Sequence, residues 1–204
     1  MSYLRSLLMA GLFLCFCLGA SAWGQDEKKQ DETVENPFYK FWSGFKPGST
    51  AVCLETTKVG SPDGKLWTPD GVDEKRIAYK LVEVDDKRAV VEMVVTEKEF
   101  LGYVQAAPTR YIYPAKVRKQ DLQRFIQETG AKTGEETLKV EGKELKVKTV
   151  AGSIKGAGDV ETEYKLWISD EVPGGIVKKT QTTRHKGEAV AETTVILETC
   201  KKAP

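Results

Sequence analysis

The sequence predicts a mainly β protein of the α+β class: one large, curved, half-barrel-like antiparallel sheet with two short helices. Three observations carry this. Most of the chain after residue 48 reads as alternating apolar and polar residues in runs of five to eleven, rich in Val, Thr and Ile, the pattern of half-buried strands. Turn residues separate the runs at short intervals. Only two stretches carry a helical period, and strand and helix do not alternate, so a doubly wound or barrel α/β fold is not expected.

The chain opens "MSYLRSLLMAGLFLCFCLGASAWGQ". Arg5 precedes an apolar run that ends in Ala20-Ser21-Ala22, small residues where a signal peptidase cuts. The run is short of the roughly 20 apolar residues of a membrane span. Residues 1–22 therefore read as a cleaved secretory signal peptide, with a secreted or periplasmic mature protein and no membrane span left after processing. Cys15 and Cys17 follow Leu14 and Phe16, not the small residue that lipid attachment needs. Removing residues 1–22 from 204 leaves 182, one domain of ordinary size. It also removes one arginine, leaving 30 basic against 30 acidic residues. That balance offers no basic excess for nucleic acid or an anionic membrane.

Residues 23–36 are almost wholly polar and are expected to be a disordered linker, with a single β-rich domain over 37–204. In "NPFYKFWSGFKPG", Asn36 suits a helix N-cap and Pro37 the first helical position. Phe38, Phe41, Trp42 and Phe45 then fall on one helical face, and Gly48 is the expected stop. "STAVCLETTKV" reads as a strand, and residues 60–71, with Pro-Asp-Gly twice, as turns. "RIAYKLVEVD" and "RAVVEMVVTE" form a hairpin about Asp85-Asp86-Lys87. Residues 99–117 are expected to be extended. "KVRKQDLQRFIQETG" is the second helix, with Leu122, Phe125, Ile126 and Thr129 on one face and Gly130 as terminator. Strands resume in "ETLKV", "ELKVKTV", "VETEYKLWIS", "GIVKKTQTTR" and "AVAETTVILETC".

Cys53 and Cys200 alone remain after processing, and in an oxidising compartment a lone pair is most simply one disulfide. The last strand would then lie near the first, and the loop-closure model gives roughly 4–5 kcal/mol for the bridge.

Catalytic signals are sparse. His185 is the single histidine, at a strand end, too few for a zinc set or a nucleophile–base pair. Carboxylate pairs such as Asp85/Asp86 and Glu161/Glu163 are expected where charged residues make up 30% of the chain. No phosphate loop or nucleophile elbow occurs. No catalytic residue, metal or cofactor is expected. The aromatic supply remains: Phe38, Phe41, Trp42 and Phe45 on one helix, with Phe125 and Ile126 on the other. They either fill the core or cover a concave apolar face that takes a lipid-like small molecule.

"LWISDEVPGGIVKK", residues 166–179, holds a type II turn with Pro173 at i+1 and Gly174 at i+2. Alternation puts Trp167 on the face opposite Tyr164, Leu166 and Ile168. The run resembles the strand–turn–strand of the bacterial lipoprotein-carrier superfamily, with Leu166, Trp167 and Ile168 in its first strand. It is also similar to uncharacterised secreted bacterial proteins with a Trp-x-Ser-Asp-Glu-Val-Pro-Gly-Gly run. The resemblance implies an open half-barrel whose helix-covered concave face holds acyl chains, with no ligand contact carried over residue by residue. The expected function is non-enzymatic binding of a hydrophobic or amphipathic ligand. The alternative is an envelope structural or protein-interaction module with a filled core.

Overall fold

A computed structural model describes residues 32–60, 72–99, 102–140 and 142–204, apart from the side chains of residues 99, 125 and 143. The expected signal peptide, most of the expected linker and the Pro-Asp-Gly turns lie outside the described residues.

The elements are β1 (Thr33–Glu35), α1 (Pro37–Ser43), β2 (Thr50–Val59), β3 (Val72–Val84), β4 (Arg88–Glu99), β5 (Gly102–Gln105), β6 (Thr109–Pro114), β7 (Lys116–Arg118), α2 (Lys119–Thr129), β8 (Lys132–Val140), β9 (Lys143–Lys155), β10 (Val160–Ile168), β11 (Ile176–His185) and β12 (Glu188–Lys201). Among the described residues, ten strands form one antiparallel sheet in the order β5-β4-β3-β2-β12-β11-β10-β9-β8. β6 continues the β5 edge along β4. The order does not close on itself, so the sheet is open, as the sequence predicts.

Asn36 ends the expected linker early. Its side chain caps Phe38 N–H at 3.0 Å, its own N–H donates to Ala115 O at 2.9 Å, and its Nδ2 donates to Pro114 O at 2.8 Å. Residues 33–35 just before it pair with 116–118 in a small two-stranded sheet. The linker through residue 36 is therefore ordered at its C-terminal end. The same pairing takes residues 116–118 out of the second helix, which starts at Lys119. Because β1 leads into α1 and β7 into α2, this small sheet sets the starts of both helices together.

α1 stops at Ser43, not at Gly48. Pro47 lacks an N–H and would clash with the carbonyl four residues back, so the helix cannot run through it. Phe45 lies beyond the last turn, its N–H on Trp42 O at 3.0 Å. α2 ends as expected, at Gly130 in the left-handed conformation (φ 57°).

Pairing partners share a face, and alternate residues along a strand share it too. One face carries Ala51, Cys53, Ile77, Tyr79, Leu81, Val91, Met93, Val95, Val195 and Leu197. Both helices lie on this inner face. Trp42 of α1 packs on Leu81, Ala89 and Val91, all three fully buried. At the C-terminal end of α2, Thr129 O lies 2.6 Å from where a Cβ on Gly152 of β9 would stand, and Tyr164 Oη 2.8 Å from it. Only glycine admits so close an approach of helix to strand.

The outer face carries Trp167. Its Nε1 donates to Glu136 Oε2 at 2.7 Å, and the ammonium groups of Lys165 and Lys178 sit 4.6 and 4.9 Å from its ring. Trp167 belongs to a buried apolar cluster that includes Val147 and Val172, and two cations over the indole with a carboxylate at its edge add to that cover. The carboxyl of Glu136 is held below its ordinary range, first by the Lys165 hydrogen bond and then by that of Trp167.

The expected disulfide is absent: Cys53 and Cys200 are both free. β12 does pair with β2, so the strands meet as predicted. However, Cys53 faces Leu197, and Cys200 faces Ala51 after a register shift between Leu197 and Thr199. The two cysteines are thus diagonal neighbours, roughly 7–8 Å apart, beyond the roughly 4.4–6.8 Å that a bridge spans. Cys53 is buried and Cys200 exposed. Burial, helped by Glu198 and Glu55, pushes the Cys53 thiol up to about 12, which leaves almost no thiolate at neutral pH. In a chain starting at residue 23, an aromatic disulfide reagent at pH 8 is expected to label Cys200 promptly and Cys53 only on unfolding. Two thiols should titrate in denaturant without reductant, and fewer would restore the bridge.

Candidate functional site

The turn quoted above is part of the fold's scaffold. Gly175 N–H donates to Val172 O at 2.8 Å, and Gly174 has φ 79°, as a type II turn requires. The turn folds onto α1: Gly174 N–H donates to Phe41 O at 3.1 Å. A Cβ on Gly174 would stand 2.6 Å from Trp42 Cζ2, and one on Gly175 2.8 Å from Phe41 Cγ. Phe41 and Trp42 are therefore clamped between the turn and the sheet.

The other candidate residues separate. Phe38 is 42% exposed and stacks on Tyr113 of β6, centroids 5.9 Å apart. Phe45 is half-buried with the Lys202 ammonium 5.7 Å from its ring. Ile126 on α2 is 47% exposed. Phe125 lies on α2 with its side chain outside the described residues. The candidates whose side chains are described thus do not form one buried surface: Trp42 is buried, Phe41 and Phe45 are half-buried, and Phe38 and Ile126 are exposed.

What the sequence does not show is the middle of the inner face. Register places Leu166, Lys179, Val195, Glu55, Lys75, Glu97 and Val104 in one row across β10, β11, β12, β2, β3, β4 and β5. On the side toward α1 the next rows are apolar. Leu197, Cys53, Ile77 and Val95 form the first, and Ala51, Tyr79 and Met93 the second. On the other side the row is polar: Tyr164, Gln181, Thr193, Thr57 and Asp73, with the Thr57 and Thr193 hydroxyls 3.1 Å apart. The inner face thus changes from polar through charged to apolar along the strands.

The charges are unevenly matched. Lys75 Nζ closes on Glu97 Oε1 at 2.8 Å. Glu55, 8% exposed, lies between Lys75 and Lys179. Burial raises its carboxyl pKa, and the two lysines only partly oppose this. Burial lowers Lys179, against the pull of Glu55. Because Glu55 holds its proton more tightly folded than unfolded, its contribution is best below the ordinary carboxylate range and is lost as pH rises through its folded value. Glu55→Gln is expected to gain stability relative to the parent, and to gain more at pH 8 than at pH 4. Urea midpoints at both values check this, and an equal gap at the two would contradict it.

Tyr164 Oη, under the end of α2, is buried with no hydrogen-bond partner among the described residues. Among the described residues no cluster of His, Cys, Asp and Glu could hold a metal ion. A shallow polar cleft lined by Leu54, Glu74, Lys75, Arg76, Thr96, Tyr103 and Glu198 is spanned by the Arg76–Glu198 ion pair at 2.9 Å. Among the described residues no helix is long and apolar enough to cross a membrane.

No protein-family model matches the chain. No curated protein matches it significantly. Among solved structures it is distantly similar to a domain described as an outer membrane lipoprotein-sorting protein from Vibrio parahaemolyticus. That pair shares 10% identity and a TM-score of 0.26, over 76% of this chain and 85% of the other. An N-terminal dehydratase from the difficidin assembly line gives 9% identity and a TM-score of 0.16, over 76% and 78%.

Proposed function

We propose that this protein binds an amphipathic, lipid-like molecule on the inner face of its open sheet, outside the cytoplasm and without catalysing a reaction on it. One observation carries the reading. On the inner face between the helices, Ala51, Cys53, Val195 and Leu197 along β2 and β12 are buried, while Ile77, Met93, Val95, Val150 and Leu166 on either side of them are apolar yet only half-buried. A sheet face that serves only as core is sealed, and one that serves only as surface is polar. This face is neither, and an apolar guest would complete its burial at about 25 cal/mol per Å². α1 covers one end through Trp42 and α2 reaches Gly152, leaving that strip between them.

Displacement of a fluorescent fatty acid tests the reading. Ile77→Ser on the inner face should weaken binding by about 10- to 150-fold, since a lost buried aliphatic side chain is worth about 1.5–3 kcal/mol. Ile196→Ser, 49% exposed on the outer face, should leave it unchanged. Equal effects, or no uptake by the parent, would count against it.

A second reading has its own observation. The β5–β6 edge exposes Tyr103 at 67%, Val104 at 49% and Ile112 at 60%. Exposed aromatic and β-branched residues on an open edge suit strand pairing with another chain. That reading expects concentration-dependent association that Ile112→Lys abolishes.

A further inference from the structure

We propose that Lys179 receives the anionic head group, a carboxylate or a phosphate, of the amphiphile bound on the inner face. This rests on the binding reading above and specifies the ligand's chemistry.

The register places the lysine at the boundary an amphiphile needs. Toward α1, one residue pair further along each strand, stand Leu197, Cys53, Ile77 and Val95, and beyond them Tyr79 and Met93. Each step is about 6.6–6.8 Å, so the two rows offer an apolar track for a chain. In the opposite direction stand Gln181, Thr193 and Thr57, polar groups that suit a hydrated head. A molecule with a charged end and an apolar tail fits this gradient in one orientation only.

Among the four charged groups in the row, Lys179 is the cation left to bind an anion. Lys75 is engaged by Glu97 at 2.8 Å. Lys179 is flanked in register by Leu166 and Val195, both apolar. Among the described residues no carboxylate lies within ion-pair distance of its ammonium, and Glu55 acts on it only from further off, across Val195. A half-buried ammonium without a contact partner is costly in the empty protein. An anion that reaches it in this setting gains a charge-assisted hydrogen bond. Glu55 opposes an anion there and favours a neutral or cationic head, so it sets the limit on affinity.

Three probes with the same twelve-carbon tail separate the possibilities: laurate, lauryl phosphate and the neutral glycerol ester monolaurin. Equilibrium titration of the parent should show at least one anionic probe binding about tenfold or more tighter than monolaurin. Which anion binds tighter distinguishes a fatty-acid head from a phosphate head. Lys179→Met should erase that preference while monolaurin still binds. Lys179→Arg should keep it, and Glu55→Gln should widen it. Lys178→Met, one residue away on the outer face, should change nothing. Equal binding of the three probes to the parent, or an undiminished preference in Lys179→Met, overturns the head-group assignment and leaves the binding reading intact. No binding of any probe overturns both.

Discussion

Trp42→Ala is expected to lower the unfolding free energy by about 3–5 kcal/mol, the range for deleting a large buried aromatic side chain. The ring is 5% exposed. It fills the space between Leu81, Ala89 and Val91 below and the 172–175 turn above, so neither side can close on the cavity without moving a strand or the turn. The turn carries two left-handed glycines fixed against α1 and has little freedom to collapse. Phe38→Ala, at a position 42% exposed, should cost under about 1 kcal/mol by contrast. Urea unfolding of the two variants gives both numbers. A loss below about 1.5 kcal/mol for Trp42→Ala would mean that α1 is not the clamp at this end of the sheet.

Gly174→Ala should cost about 2–5 kcal/mol. Roughly 1–2 kcal/mol comes from placing an L side chain at φ 79°, and about 1–3 kcal/mol from the overpacked contact with the indole. The added Cβ would stand 2.6 Å from Trp42 Cζ2, and a ring held between the turn and Leu81, Ala89 and Val91 cannot yield. The two substitutions share one contact and should therefore not add. In the Trp42→Ala background the overpacking disappears, and Gly174→Ala should cost only the backbone part, a coupling of about 1–3 kcal/mol. Strict additivity would show that the turn does not rest on the helix.

Strands, turns and helix caps were legible because their signals are local. Leu145, Val147 and Thr149 share one face with Trp167, and Lys146 and Lys148 take the other, as alternation requires. Asn36 caps and Gly174 turns for reasons contained in their own side chains. The misses all concern pairing at a distance. Nothing in Thr33-Val34-Glu35 signals that Lys116-Val117-Arg118 will complete it as a ladder, so a polar stretch passed for a linker. Cys53 and Cys200 lie on paired strands, but a register shift near Glu198 decides that they do not meet.

The charged row shows the same limit. Glu55, Lys75, Glu97 and Lys179 each stand two residues from an apolar neighbour, Cys53, Ile77, Val95 and Val177, so each strand alone places its charge on the inner face. Only the register through β4, β3, β2, β12 and β11 makes the four a row. The aromatic residues were the more visible feature; of them, Phe41 and Trp42 meet the 172–175 turn, and Phe38 stays exposed beside Tyr113.

The most direct measurement of the central claim is methyl NMR of the protein titrated with a fatty acid carrying a nitroxide on its tail. The methyl groups of Ile77, Val95 and Val195 should broaden first. Those of Leu54, Val94 and Ile196, on the outer face of the same strands, should stay sharp. Broadening confined to the outer face, Ile112 on the β6 edge included, would contradict an inner-face binding site.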